Sequence, residues 1–217
     1  MSAPTPEPTA GGRGTVLVLA GGLSHERDVS LRSGRRVAEA LRGTGLEVVE
    51  RDVDAALMTS LRDEPPACVV PMLHGETGED GAIREVLELL GLPYVGSGPA
   101  ACRVAFNKPV AKSMVATAGI ATPESVSLPH QTFRELGAAA VMAALVARLG
   151  LPIMVKPTQS GSALGCAVVR TAAELPAAMV SAFAYGDEAL LERFVEGVEV
   201  AVPVLDDGSG PRAWPAV

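Results

Sequence analysis

Residues 15–41 read TVLVLAGGLSHERDVSLRSGRRVAEAL, and this stretch decides the fold. The unbroken apolar run Thr15–Ala20 suits a strand buried on both faces. Gly21-Gly22 ends it, and a helix pattern follows with Gly34, Val37, Ala38 and Leu41 on one face. The strand–helix rhythm then repeats. Leu46–Arg51 and Ala67–Met72 read as two more strands, with a helical piece at Ala55–Leu61 between them. Ile83, Val86, Leu87 and Leu90 stand at i, i+3, i+4 and i+7 of a further helix. Glu79 and Asp80 are expected in its first turn, where the dipole favours acids and capping accounts for both. Leu92–Val95 reads as a short fourth strand. Strands alternating with helices predict a parallel sheet covered on both faces.

Beyond Gly96–Gly98 the pattern changes. Asn107–Ala118 reads as a helix and Glu124–Leu128 as a strand. Thr132 and Glu135 have capping-box spacing before an Ala-rich helix running to Arg148. Ile153–Lys156 and Gly165–Val169 read as strands flanking the connection PTQSGSAL. Thr171 and Glu174 form a second capping box, and Leu175, Ala178, Met179 and Ala182 line the next helix. Glu188–Phe194 and Glu196–Leu205 read as closing strands. This half is α+β, with antiparallel strands expected. Residues 1–13, rich in Pro, Gly and Ala, read as a disordered leader.

Composition narrows the function classes. With 217 residues, 48% apolar and 20% charged, the chain matches an ordinary globular protein. Its net charge of −7 argues against a nucleic-acid partner, which needs a basic face. Cys68, Cys102 and Cys166 are odd in number and widely spaced, so they form neither a disulfide framework nor a zinc site. The longest apolar run, Ala138–Ala147, is half the length of a membrane span, and the N-terminus has no signal-peptide pattern. A cytoplasmic protein without a membrane partner is expected. There are 15 arginines but only three lysines, Lys108, Lys112 and Lys156, so each ammonium invites a role.

Four places could carry chemistry. The loop after the first strand holds Glu26 beyond a strand's carboxyl end, where α/β sheets bind ligands; a solvated turn is an equal alternative. His74 follows another strand within HGETGEDG and could donate to a carboxylate, or simply pack. Lys156 precedes the Gly/Ser-rich connection, which offers a cation and a row of N–H groups to phosphate oxygens. The order GxxxxGK[ST] of a Walker loop is absent, and so is GxGxxG after the first strand, which argues against a dinucleotide binder. Lys108 opens a helix, where a cation is disfavoured unless an anion compensates. Glu192 and Glu199 flank a short apolar stretch and could accept from a ribose or adenine; singly, each also fits a surface charge.

Together, GGLSHERDVSLRSG, LHGETGEDGAIREVLELLGLPYVGSG, NKPVAK, GLPIMVKPTQSGSALG and LLERFVEGVEV resemble, in order, D-alanine–D-alanine ligases of the ATP-grasp superfamily. The resemblance implies a Rossmann-like parallel-sheet domain that binds substrate (14–96), a central ATP-grasp domain (97–192) and the start of a C-terminal ATP-grasp domain (193–217). It implies ATP-driven joining of two D-alanines through an acyl phosphate, for peptidoglycan precursors. Glu26 then matches the glutamate on the first D-alanine's ammonium, and Ser162 its serine partner in a Glu–Ser–Tyr set. His74 matches the histidine near that substrate's carboxylate. Lys108 and Lys156 match the lysines on the ATP phosphates. Glu192, Val195 and Glu199 match the adenine-side glutamate, the main-chain adenine contact and the ribose-binding glutamate.

Two departures stand inside the motifs: Asn107 replaces an Asp before the lysine, and Ala163 replaces a second serine. The family's ligands for Mg2+ or Mn2+ are expected beyond Val217, so no metal ligands are assigned here, and the 217-residue chain alone is expected to be inactive. A homodimer is the family's expected assembly. The alternatives are another ATP-grasp carboxylate–amine ligase, such as a D-alanine–D-lactate type, and a non-catalytic nucleotide-binding remnant.

Overall fold

Backbone pairing begins inside the first apolar run. In the computed structural model, which describes residues 14–217, β1 (Val16–Leu19) feeds α1 (Arg27–Gly43). The chain continues through β2 (Val48–Arg51), α2 (Leu57–Asp63) and β3 (Cys68–Pro71). The three strands form a parallel sheet in the order β2-β1-β3. Alternation along β1 explains why it reads as wholly apolar. Leu17 and Leu19 pack with Leu57, Leu61, Val69, Ile83 and Leu87 on one face, while Val18 packs with Ala38 and Val48 on the other. Gly34 lets α1 lie close: a Cβ there would come within 2.4 Å of the Ala20 Cβ. The expected leader, 1–13, lies outside the described residues.

Two expectations for this half are corrected. Glu79 and Asp80 are not in the first turn of the following helix. Gly81, at φ +91°, separates α3 (Glu76–Glu79) from α4 (Ala82–Leu89), and a Cβ on it would meet the Pro99 carbonyl at 2.5 Å. Asp80 does cap, accepting from Ala82 N–H at 2.8 Å, but Glu79 is left free of that task. Leu92–Val95 makes one bridge, Val69 to Tyr94, rather than a strand. Pro93 has no N–H to extend the ladder.

The second half opens with a helix missing from the sequence reading, α5 (Pro99–Phe106), which buries Cys102 and Phe106 after a proline at its first position. Next come α6 (Lys108–Thr117), β4 (Ser125–Pro129), α7 (His130–Leu136), α8 (Ala138–Leu149), β5 (Ile153–Pro157), β6 (Ala167–Val169), α9 (Leu175–Phe183) and β7 (Glu188–Arg193). The sheet is antiparallel, as expected, in the order β4-β7-β5-β6. Asn107 caps α6 by accepting from Val110 N–H at 3.1 Å. The capping box at Thr171 and Glu174 is present and leads into α9. The one expected at Thr132 is absent: α7 starts earlier, Thr132 lies inside it, and Gly137 at φ +87° splits the Ala-rich helix in two.

Period-two alternation then sorts the sheet's faces. Ile153, Val155, Ala189 and Leu191 pack against Phe133, Leu145, Leu149, Leu175 and Met179 from the helices. Lys156 and Glu192, out of phase with those residues on β5 and β7, are therefore turned to the opposite face. The closing strand expected at 196–205 forms only from β8 (Val204–Asp206), which pairs with β9 (Pro211–Ala213). Val198, Val200 and Val202 alternate correctly but stand exposed, and among the described residues no sheet packs on them. Among the described residues, no helix is long and apolar enough to cross a membrane.

Leu175 is fully buried beneath the sheet, and truncating it leaves a cavity. Leu175→Ala is expected to lower unfolding free energy by about 2–5 kcal/mol, read by urea denaturation. A loss comparable to a surface substitution would contradict this packing.

Candidate functional site

The first loop is clamped at its base. Ser30 Oγ accepts from Gly21 N–H and donates to the Met72 carbonyl, both at 2.8 Å. Asp52 accepts from Gly22 N–H at 2.7 Å and pairs with Arg27 at 2.5 Å. Hydrogen bonds from Arg27 and from the Gly22 and Val53 backbone hold the Asp52 carboxyl below its ordinary range, against its partial burial. At the tip, Ser24 Oγ donates to the His74 carbonyl at 2.6 Å and accepts from Glu26 N–H at 3.2 Å. The loop is thereby tied to the segment after β3.

Glu26 is 5% exposed, and two glycines make room for it. A Cβ on Gly75 would sit 2.9 Å from its carboxylate, and one on Gly161 would sit 2.6 Å away. Gly75 comes from the first half and Gly161 from the connection between β5 and β6. From that connection Ser162 Oγ donates to Glu26 Oε1. Ser162 and Ala163 both adopt positive φ, +45° and +56°, in the left-handed region that side chains disfavour by about 1–2 kcal/mol. The ring of His25 meets Tyr185 edge-on at 5.4 Å, a second contact between the halves. An open cleft of about 270 Å3 results, lined by Ser24, Glu26, Gly75, Ser160, Gly161 and Tyr185 among others.

His74 adjoins this corner. Its Nε2 lies 3.2 Å from Ser33 Oγ, and its Nδ1 lies 3.9 Å from a Glu79 oxygen. Burial, then the nearby Glu26 charge, pushes the Glu79 carboxyl above its ordinary value, outweighing His74, Arg84 and a backbone hydrogen bond.

The cations gather beside the same connection. Lys108 N–H donates to the Thr158 carbonyl at 3.0 Å, and its Nζ donates to the Ser160 carbonyl at 2.8 Å. Burial pushes the Lys108 ammonium below its ordinary value, and the Lys156 charge adds to this. Lys156 Nζ pairs with Glu192 Oε1 at 2.5 Å, and Lys112 Nζ with Glu192 Oε2 at 2.8 Å. Burial alone would raise the Glu192 carboxyl, but the two lysines prevail and hold it below its ordinary value. The half-buried Cys166 thiol is pushed up by burial, while Lys108 and Lys156 pull it back.

The structure therefore brings Glu26, Ser162 and His74 to one corner, and Lys108, Lys156 and Glu192 to the cluster beside it. Val195 (65% exposed) and Glu199 lie on the segment after β7; among the described residues no hydrogen bond ties them to that cluster. Three participants were given no part in the site by the sequence. Ser24 sat in a quoted motif, Glu79 was assigned to capping, and Lys112 was noticed only for its scarcity. Among the described residues no three His, Cys, Asp or Glu side chains converge on a metal position, so these residues do not fit a divalent cation. The chemistry they support is binding, orientation and proton transfer. Lys108, held to the Ser160 carbonyl, and Lys156, where the glycine-rich connection begins, offer ammonium groups that fit a phosphate chain.

Comparison with known proteins decides the family. A family model described as D-ala D-ala ligase N-terminus matches residues 47–97, and one described as D-ala D-ala ligase C-terminus matches 114–216. The D-alanine–D-alanine ligase of Desulforudis audaxviator is 42% identical over 201 residues, covering 92% of this chain and 63% of that protein. The chain belongs to the D-alanine–D-alanine ligase family. Its fold matches the crystal structure of D-alanyl-alanine synthetase A from Vibrio cholerae, with TM-score 0.80 and 25% identity over 95% of this chain and 67% of that one. It also matches the D-alanine–D-alanine ligase of Bacillus anthracis complexed with ATP, with TM-score 0.74 and 25% identity over 94% and 65% of the two chains. The α/β reading with an ATP-grasp sheet is thus confirmed. This member spans about 60% of the length of the curated relatives it matches.

Glu79 gives a pH-dependent test. Its folded carboxyl titrates above the unfolded one, so folding favours the protonated form; that contribution is complete below the unfolded value, about pH 4, and is lost as pH rises through the folded value. Glu79→Gln is expected to stabilise the chain at pH 7 and to make no difference below about pH 4, by urea denaturation at each pH. A variant that is less stable at pH 7 would contradict the burial of a charged Glu79.

Proposed function

We propose that this chain forms the substrate- and nucleotide-binding part of an ATP-dependent ligase joining two D-alanines for peptidoglycan precursors. The observation that carries the proposal is the hydrogen bond from Ser162 to Glu26, which links the first loop to the connection that begins at Lys156. In this reading residues 14–96 bind substrate, 97–192 form the central ATP-grasp domain, and 193–217 begin the C-terminal one. The almost buried Glu26 carboxylate accepts from the ammonium of the first D-alanine, and Ser162 keeps the carboxylate oriented. His74 reaches toward the substrate carboxylate, held by Ser33 on its other side.

ATP supplies the phosphoryl group that activates that carboxylate. Bringing two anions together requires positive charge, and Lys108 and Lys156 provide it at the phosphates. Glu192 lies on the adenine side, and Glu199 and Val195 complete the ribose and adenine contacts. The connection 157–164 closes over the phosphates and excludes water from the acyl phosphate, while holding the reactants in attacking geometry. Ser162 and Ala163, both left-handed, would offer backbone N–H groups to the phosphate oxygens. The family resemblance supports a divalent metal bound elsewhere in the full-length enzyme, a homodimer, and a cytoplasmic setting.

Two substitutions with opposite effects test the assignment by calorimetric titration of ATP and of D-alanine. Glu26→Gln is expected to weaken D-alanine binding roughly ten-fold or more and to leave ATP binding within about two-fold. Lys156→Ala is expected to do the reverse. The opposite pattern, or no binding of ATP to the unaltered chain, would overturn the reading.

A further inference from the structure

Glu192 is held by two lysines, and the two are not equivalent. Lys112 Nζ donates to Glu192 Oε2 at 2.8 Å, to Thr122 Oγ1 at 2.7 Å and to the Pro123 carbonyl at 2.9 Å. An ammonium has three N–H donors, so all of its donors are taken. Lys112 is 15% exposed and lies on α6, while its neutral acceptors lie just before β4, whose Ser125 pairs with Glu192 on β7. It is a fixed cation that pins α6 to the sheet at the carboxylate. Lys156 is 29% exposed and, among the described residues, places one donor on Glu192 Oε1.

The difference has an energetic consequence. Glu192 is only 9% exposed, and a carboxylate at that depth cannot be left without a counter-ion. If Lys156 were its only partner, moving Lys156 to a ligand would strand a buried charge. With Lys112 locked in place, the carboxylate stays compensated when Lys156 departs. We propose that Lys112 is a positioning residue: by neutralising Glu192 permanently, it frees the Lys156 ammonium to exchange from Glu192 to an incoming nucleotide phosphate. This inference rests on the nucleotide reading above and adds a residue that never touches the ligand. Two lysines against one carboxylate leave the cluster with a surplus positive charge, to which Lys108 adds a second. The scarcity of lysine in the chain also becomes intelligible, since all three ammonium groups serve one site.

The same scarcity makes the test clean. A chain labelled with 13C at lysine Cε gives three signals, assignable with single Lys→Arg variants. On titration with ATP, the Lys108 and Lys156 signals are expected to shift and the Lys112 signal to hold. Lys112→Met is expected to weaken ATP binding roughly ten-fold while leaving adenosine binding within about two-fold, because the loss acts through the phosphate-seeking lysine. Adding Glu192→Gln to Lys112→Met removes the carboxylate that traps Lys156, and is expected to return the ratio of ATP to adenosine affinity to its original value. Lys112→Arg, which keeps the charge, is expected to retain most of the ATP affinity.

A Lys112 signal that moves with Lys156 would make Lys112 a direct ligand and overturn the inference while sparing the nucleotide reading. Equal losses for ATP and adenosine in Lys112→Met would reduce Lys112 to a structural prop and overturn it too. A titration in which no lysine signal moves would instead overturn the nucleotide reading itself. The titration of the unaltered chain does not depend on any variant folding.

Discussion

The contact between Glu26 and Ser162 joins residues 136 positions apart, and the candidate site exists because of it. Glu26 belongs to a loop held against the parallel sheet by Ser30, Asp52 and Ser24. Ser162 belongs to the connection between two strands of the antiparallel sheet. A nearly buried carboxylate needs donors, and Ser162 supplies one from across the cleft. Gly75 and Gly161 meet the same constraint from the steric side, since either Cβ would collide with the carboxylate. The strained backbone at Ser162 and Ala163 is then understandable as the conformation that brings the hydroxyl to the carboxylate.

Around the three lysines the governing quantity is charge. Strand alternation turns Lys156 and Glu192 away from the helix-covered core, so the sheet's second face carries an ion pair beside the buried Leu190. Lys112 enters from α6 and completes an arrangement in which the carboxylate is doubly compensated. Lys108 reaches the connection's backbone from the start of the same helix. The Glu26 corner and the cation cluster therefore both rest on one short segment, through Ser162 and through the Ser160 carbonyl.

Much of this was legible in the sequence. The apolar run 15–20 marked the first strand, the box at Thr171 and Glu174 marked the turn that leads into α9, and the motifs singled out Glu26, His74, Lys108, Lys156, Ser162 and Glu192, which the fold gathers into neighbouring clusters. What escaped depended on contacts between distant residues. Gly81, left-handed and pressed against the Pro99 carbonyl, breaks the chain between α3 and α4, so Glu79 faces His74 and Glu26 rather than capping a helix. Val198, Val200 and Val202 carry a strand pattern but stand exposed among the described residues, and alternation cannot reveal whether a partner is present. Lys112 was conspicuous by type, but its three acceptors come from two other segments, and no local spacing announces them.

The central claim is that Glu26 and the connection form one unit, and amide hydrogen exchange across residues 158–166 tests it most directly. Two turns there are closed by Leu164 N–H to the Gly161 carbonyl and by Cys166 N–H to the Ala163 carbonyl. In the unaltered chain those amides are expected to be protected. In Gly161→Ala, whose added methyl would lie 2.6 Å from the Glu26 carboxylate, they are expected to exchange roughly ten-fold faster or more, with the β5 and β7 amides unchanged. Equal exchange in the two chains would show that the connection holds its shape without Glu26, and would contradict the account.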